Sequence, residues 1–272
     1  MVDYPKPWLL FWIAAIIAHL YMDYTFVRKW RSWNRGTAEP AAPDKGKIRA
    51  AKIWCAEVLL QRQLFGLSPG RWLVHILIFY GFAGLLFLSL FTVILRPLAY
   101  LGIDGGMAPF FLKGKGYLIT KIWGDAFGLA LLAGLVAALI RRLFFRSPQQ
   151  EPGQADMVLI LLLLWLTVSG FALEALRVAL VPDWLARYSF FARLFVSPGA
   201  YTFDQLRPWL TALWSLHSFS IVGLMLYLPH SKLMHSLLAP VVIAMNALGE
   251  QDREDIYWPD VKKHRATRSP GA

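Results

Sequence analysis

The sequence predicts an all-α fold, an integral membrane bundle of five transmembrane helices, and two observations lead to this fold class. Of the 272 residues, 57% are hydrophobic and only 17% are charged, more apolar surface than one soluble core of this size needs. Five segments also reach the roughly 20 mostly apolar residues that a helix needs to cross a bilayer. The expected helices cover residues 7–27, 71–95, 118–142, 156–177 and 209–240.

Basic residues in two loops predict the orientation of these helices. The first loop and the loop after the third helix carry Arg28, Lys29, Arg31, Arg35, Lys45, Lys47, Arg49, Lys52, Arg62, Arg141, Arg142 and Arg146. The positive-inside rule then puts the N-terminus outside and the C-terminus in the cytoplasm. We therefore expect a multi-pass protein of the inner (cytoplasmic) membrane, with a membrane domain over 1–247 and a cytoplasmic tail over 248–272. Topology accounts for the net charge of +11, so no nucleic-acid partner is expected.

The cysteine content limits the redox chemistry. Cys55 is the single cysteine, which excludes an internal disulfide, a CxxC pair, a cysteine-ligated iron-sulfur cluster and covalent haem attachment through CxxCH. Any redox centre in this chain must use other ligands.

Histidines are the candidates for such ligands. The six are His19, His75, His217, His230, His235 and His264, and all but His264 fall within or at the ends of predicted spanning helices. An ionisable group in a bilayer is costly and tends to be functional, although a single histidine can also form a hydrogen bond to a neighbouring helix. Both interpretations are open for each histidine taken alone.

The spacing of the histidines favours metal ligation. In one continuous helix, the 18 residues from His217 to His235 make five turns, about 27 Å, and return to the same face, whereas His230 is rotated away from it. A neutral imidazole is a good axial ligand for haem iron. His75 matches His235 in depth near the cytoplasmic side. His19 lies at a depth compatible with His217 near the outer side, although an interhelical hydrogen bond is an equal alternative for His19.

Several stretches carry a resemblance to a known family. They are "RWLVHILIFYGF", "LIRRLFFRSP" followed by "ADMVLILLLLWLTVSGF", and "LHSFSIVGLMLYLPHSKLMH". Over most of its length the chain resembles the gamma subunit of respiratory nitrate reductase, a five-helix membrane cytochrome b. The "GFALEALR" segment is most similar to the branch found in heterodisulfide-reductase-like menaquinol oxidoreductases and in membrane complexes of sulfate reducers.

The resemblance implies roles for the histidines. His75 and His235 resemble the ligands of a cytoplasmic-side haem b, and His217 resembles the helix-five ligand of an outer haem b. The family's second outer ligand corresponds to Leu85 in this chain. Three outcomes follow: His19 replaces that ligand, the outer haem is bound differently, or the chain holds one haem.

Polar pairs near the outer side suggest a quinol site. Lys121 and Asp125 are spaced i, i+4 and share a helix face. Lys121 resembles the family's quinol-site lysine, and Asp125 is either a proton acceptor or the ion-pair partner of Lys121. Glu174 and Arg177, spaced i, i+3, form either a salt bridge or a route for protons.

The resemblance implies the haem b subunit of a quinone-linked respiratory complex. We expect menaquinol to be oxidised near the outer face and electrons to pass to a cytoplasmic iron-sulfur protein of the heterodisulfide-reductase type. That partner would perform the terminal catalysis, and an extracytoplasmic multihaem cytochrome c is a second candidate partner. The alternatives are quinone reduction by the same chain of centres, or a haem-free membrane anchor or transporter with structural histidines.

Overall fold

Most of the chain that the structure describes is helical. This computed structural model describes residues 8–33, 45–145, 154–181, 186–231 and 233–249, and these ranges contain no strand. Its α-helices are α1 (Trp8–Trp33), α2 (Lys45–Trp54), α3 (Arg62–Leu67), α4 (Pro69–Tyr100), α5 (Lys115–Phe144), α6 (Gln154–Val178), α7 (Phe203–Tyr227) and α8 (Leu233–Gly249). Most of the predicted tail, with His264, lies outside the described residues.

Within the described ranges, five helical segments are long and apolar enough to cross a membrane. They are Leu9–Arg31, Pro69–Tyr100, Lys115–Phe144, Met157–Val178 and Phe203–His230. A helix suits this environment because it satisfies its own backbone hydrogen bonds where no water is present. The predicted all-α fold with five transmembrane helices is therefore confirmed.

The fifth predicted helix, residues 209–240, is not continuous. Helix α7 ends at Tyr227, a 3-10 turn covers Leu228–His230, and α8 begins at Leu233. Pro229 lies in this turn, where it lacks a backbone N–H and where its ring opposes a further α-helical turn. His217 and His235 consequently lie on different helices, so the five-turn spacing on one helix face does not apply to them.

The described helices divide into two compact units. The first contains residues 1–20 and 77–227, and the second contains residues 21–76 and 228–272. Helices α1 and α4 each contribute to both units.

Glycines allow α4 and α5 to pack closely in the first unit. A Cβ atom on Gly81 would lie 2.5 Å from the backbone nitrogen of Leu131, and one on Gly134 would lie 2.9 Å from that of Ile78. Small residues at helix crossings permit such close approach in membrane proteins. The pairing of early α4 residues with late α5 residues shows that the two helices are antiparallel.

Helices α6, α7 and α1 also make contacts within the first unit. Trp165 Nε1 of α6 donates a hydrogen bond to Ser220 Oγ of α7 at 3.0 Å. Phe11 of α1 makes edge contacts with the rings of Trp214 and Phe219 of α7, with centroid distances of 5.5 and 6.4 Å. These contacts fix the level of α1 beside α7.

In the second unit, side-chain donors hold carbonyl groups near the helix break. Lys29 Nζ donates to the carbonyl oxygen of Pro229 at 2.8 Å. Trp54 Nε1, at the end of α2, donates to the carbonyl oxygen of Pro240 in α8 at 2.9 Å. The turn before α8 is thus held by α1, and the middle of α8 is held by α2.

The glycine packing gives a test of the first unit. We expect Gly81→Ala to destabilise the protein by about 1–3 kcal/mol, because the added methyl group overpacks the α4–α5 crossing. The control is Gly124→Ala on α5, where a Cβ atom meets nothing within 4 Å. That change should be neutral or stabilising, since alanine favours helix over glycine by about 1 kcal/mol. Thermal unfolding in detergent would measure both, and equal loss of stability in the two variants would contradict the prediction.

Candidate functional site

The half-buried carboxylate of Glu174 joins several polar side chains of the first unit. Glu174 Oε2 accepts hydrogen bonds from Lys121 Nζ at 2.9 Å and from Arg177 Nε at 3.0 Å. Glu174 Oε1 accepts hydrogen bonds from Ser189 Oγ at 2.6 Å and from Arg177 Nη2. One carboxylate therefore joins α5, α6 and the segment that follows α6. The salt bridge predicted between Glu174 and Arg177 is present.

Asp125 accepts a backbone hydrogen bond instead of forming the suggested ion pair with Lys121. Its Oδ2 atom accepts a hydrogen bond from the backbone N–H of Phe191 at 2.9 Å, and the residue is only 4% exposed. Lys121 forms its ion pair with Glu174 rather than with Asp125. Asp125 thus holds the segment around Phe191 against α5, with acceptor capacity remaining on its carboxylate.

An aromatic ring completes the cationic part of this cluster. The ring centroid of Tyr117 lies 5.2 Å from Lys121 Nζ and 5.5 Å from Arg177 Cζ. Both distances are within the range of cation–π attraction. The cluster therefore presents two cations, one shared carboxylate and an aromatic ring.

His217 forms a hydrogen bond that determines its tautomer. Ser169 Oγ lies 2.8 Å from His217 Nδ1 and 2.7 Å from the carbonyl oxygen of Trp165. A serine hydroxyl has one proton. Because two oxygens 2.7 Å apart require a proton between them, that proton lies on the Trp165 side. His217 Nδ1–H must then donate to Ser169 Oγ, so the unprotonated nitrogen of His217 is Nε2.

His75 shows the same arrangement in the second unit. Its Nδ1 atom lies 2.7 Å from Gln61 Oε1, and a carboxamide oxygen only accepts hydrogen bonds. His75 Nδ1–H therefore donates to Gln61, and Nε2 is again the unprotonated nitrogen. Gln61 is 8% exposed and has φ 50° and ψ 48°, a left-handed conformation that is uncommon outside glycine.

A π-helical turn over Cys55–Leu59 leads into Gln61. Within it, burial raises the pKa of Glu57, while a hydrogen bond from the backbone N–H of Gln63 and the charge of Arg62 oppose this rise. Trp72 Nε1 donates to the carbonyl oxygen of Leu60 at 2.8 Å. These contacts fix the turn that carries Gln61 against the start of α4.

His230 uses the opposite ring nitrogen. Its Nε2 atom forms a hydrogen bond of 2.8 Å with the hydroxyl group of Tyr21, which can both donate and accept. Iron ligation through Nε2 would break this hydrogen bond. The geometry therefore gives His230 a structural role at the helix break.

The remaining predicted ligands are His19 and His235. His19 lies on α1 in the first unit with His217, and His235 lies on α8 in the second unit with His75. Because Phe11 contacts Trp214 and Phe219, His217 lies near the level of Phe11. His19 is eight residues further along α1, an axial separation of about 12 Å.

The structure adds residues that sequence reasoning missed. They are Gln61, Ser169, Ser189, Tyr117 and Tyr21. Ser169 lies on the same predicted helix as Glu174, but its partner is 48 positions away in the chain. Polar residues inside an apolar helix were the available signal, since such groups tend to hydrogen-bond across helices.

Comparisons with known proteins agree with this architecture. A family model described as nitrate reductase gamma subunit matches residues 109–247. One subunit of the dihydromethanophenazine:CoB–CoM heterodisulfide reductase of Methanosarcina barkeri is 29% identical over 83% of this chain and 76% of its own length. The same component of the Methanosarcina thermophila enzyme is 28% identical over 87% of this chain and 89% of its own length.

The corresponding protein of Methanosarcina mazei is 26% identical over 88% of this chain and 93% of its own length. No solved structure matches. The chain is thus homologous to membrane subunits of an electron-transfer complex. With about half of its residues matched by the family model, the chain belongs to the nitrate reductase gamma subunit family.

Proposed function

We propose that this chain is the haem b-binding subunit of a quinol-linked oxidoreductase in the cytoplasmic membrane. The observation that carries the proposal is the pair of contacts from His75 Nδ1 to Gln61 Oε1 and from His217 Nδ1 to Ser169 Oγ, from which we infer the same tautomer for both rings. In each ring the nitrogen without a proton is Nε2. Axial ligation of iron needs a nitrogen of this kind.

The assignment of both cytoplasmic-side ligands to the second unit supports a haem b there. His75 and His235 both belong to that unit, and haem b bound there would accept and donate single electrons. The residues of the chain would supply the two imidazoles, and Gln61 would keep the proton of His75 on Nδ1. The family membership supports this assignment, because the resemblance assigns cytoplasmic-side ligands to these two positions.

We propose a second, outer haem on His217. Its partner in this proposal is His19, the other histidine of the first unit among the predicted ligands. The axial separation of about 12 Å between their levels has to be bridged for both to bind one iron. A single haem on His75 and His235 is the alternative that this separation favours.

The cluster around Glu174 is the proposed quinol site. Lys121 would donate to a quinol oxygen while Arg177 keeps Glu174 in place. Asp125 would accept a proton released by the quinol, since only one of its oxygens holds the Phe191 backbone. Ser169 and Glu174 lie five residues apart on α6, so the site is about 7.5 Å along that helix from the His217 contact.

We propose menaquinol as the donor and a cytoplasmic iron-sulfur protein of the heterodisulfide-reductase type as the acceptor. The names of the relatives join dihydromethanophenazine to a heterodisulfide reductase, which supports a membrane donor and an acceptor of this type. With the N-terminus outside, quinol protons would be released outside and electrons would move inward. If electrons moved through the same haems in the opposite direction, the subunit would reduce quinone instead.

Substitution of the cytoplasmic-side ligands tests the central proposal. We expect His75→Ala and His235→Ala each to remove one haem from the purified complex, because the iron loses an axial ligand. His230→Ala is the matched control and should keep all the haem, since His230 contacts Tyr21. Reduced-minus-oxidised spectra with a haem assay measure the stoichiometry. A wild-type complex without b-type bands would favour the haem-free anchor or transporter instead.

His19→Ala decides the composition of the outer site. If His19 binds the outer iron, this variant should lose one haem relative to the wild type, as His217→Ala does. Haem stoichiometry is again the measurement. An unchanged stoichiometry in His19→Ala would reject His19 as a ligand.

Lys121→Ala tests the quinol site. We expect the affinity for a menaquinol analogue to fall by about tenfold, the cost of one lost charged hydrogen bond. Arg177 remains paired with Glu174, so the fold should persist. Lys115→Ala is the control, because it removes the same charge from an exposed position on the same helix. An analogue titration giving equal affinities for the two variants would count against the site.

A further inference from the structure

We infer that Gln61 and Ser169 are positioning residues that each set the electron affinity of one haem through the Nδ1–H group of its histidine ligand. The inference rests on the proposed haem ligation by His75 and His217. Gln61 would act on the haem of the second unit, and Ser169 on that of the first. Neither residue would touch the iron.

Ser169 is built to accept rather than to donate toward His217. The residue is 2% exposed, and its hydroxyl proton is used by the Trp165 carbonyl oxygen at 2.7 Å. A hydroxyl that donates to one acceptor becomes a stronger acceptor itself. The carbonyl of Trp165, the Ser169 hydroxyl and the His217 ring therefore form a chain of hydrogen bonds with one direction.

Gln61 also accepts a hydrogen bond from its histidine, but its backbone adopts an unfavourable left-handed conformation. A left-handed conformation in a residue other than glycine costs on the order of 1–3 kcal/mol and persists where the surroundings enforce it. Its backbone carbonyl accepts the first hydrogen bond of α3, from Phe65 N at 3.1 Å. The conformation thus starts α3 and directs the side-chain oxygen to His75 Nδ1 at 2.7 Å.

These hydrogen bonds have a predictable effect on the haem potential. An acceptor on the Nδ1–H group fixes the ring and makes the coordinating nitrogen more basic. A more basic ligand stabilises ferric over ferrous iron, so it lowers the midpoint potential. Loss of the acceptor should therefore raise the potential of that haem. A tenfold change in the ferric-to-ferrous preference corresponds to about 59 mV for one electron.

The test is a potentiometric titration of the haem-loaded complex, with electron paramagnetic resonance of the ferric state. We expect Ser169→Ala to weaken the ferric preference of one haem by about tenfold, which raises its potential, and to shift its g values. Ser169→Thr keeps a hydroxyl group and should leave both the potential and the g values as in the wild type. Thr167→Ala is the control, because Thr167 is also buried in α6 and its hydroxyl donates to the Leu163 carbonyl oxygen at 2.8 Å.

For Gln61, two variants separate the side chain from the backbone. Gln61→Leu removes the acceptor and keeps the left-handed strain, whereas Gln61→Gly removes the acceptor and relieves it. Both variants should raise the midpoint potential of the haem of the second unit. Gln61→Glu keeps an acceptor oxygen and should not raise that potential. A shift in Gln61→Gly without one in Gln61→Leu would assign the effect to backbone strain and overturn the inference for Gln61.

The outcomes distinguish this inference from the proposed function. If His75→Ala and His217→Ala each remove a haem but the Gln61 and Ser169 variants titrate like the wild type, the inference alone is wrong. If His75→Ala or His217→Ala keeps its haem, the proposed ligation is wrong at that site. A shift in the Thr167→Ala control equal to that of Ser169→Ala would also overturn the inference, since general loosening of α6 would explain both.

Discussion

The carboxylate of Glu174 is the contact on which the polar end of the first unit depends. Its two oxygens accept hydrogen bonds from Lys121, Arg177 and Ser189, which come from α5, from α6 and from the segment after α6. Removing one member of a buried ion pair costs about 3–5 kcal/mol, because the remaining charge has no partner. Glu174 faces two cations, so the loss of Lys121 alone still leaves it paired. This second cation leaves Lys121 available for the proposed quinol without being needed to neutralise Glu174.

Helix α6 connects this cluster to His217 in the same unit. Ser169 accepts the hydrogen bond of His217, and Trp165, one turn earlier, donates to Ser220 on α7. Both contacts join α6 to α7, so they fix the register between these two helices at the level of His217. A site built on packed helices holds its groups more precisely than one built on loops. The distance between His217 and the Glu174 cluster is therefore a property of the helix rather than of a moving segment.

The sequence predicted those features that depend on local patterns. Runs of apolar residues identified the five spans, and the i, i+3 spacing identified the Glu174–Arg177 pair. Contacts between distant positions could not be read in this way: Lys121 and Glu174 are 53 positions apart, and Ser169 and His217 are 48 apart. The left-handed conformation of Gln61 also had no signal, because glutamine is not a residue type that favours it.

The break after α7 shows that a turn containing one proline can separate two histidines that the sequence spacing places on one helix face. Pro229 was visible in the sequence, yet the apolar run continues past it and conceals the end of the helix. With the break, the position of His235 depends on the anchors of α8 rather than on the face of α7. Those anchors are Lys29 and Trp54, and both belong to the second unit with His75. His235 is therefore carried by the same packed group of helices as its proposed partner, while His230 uses its Nε2 atom to hold the break through Tyr21.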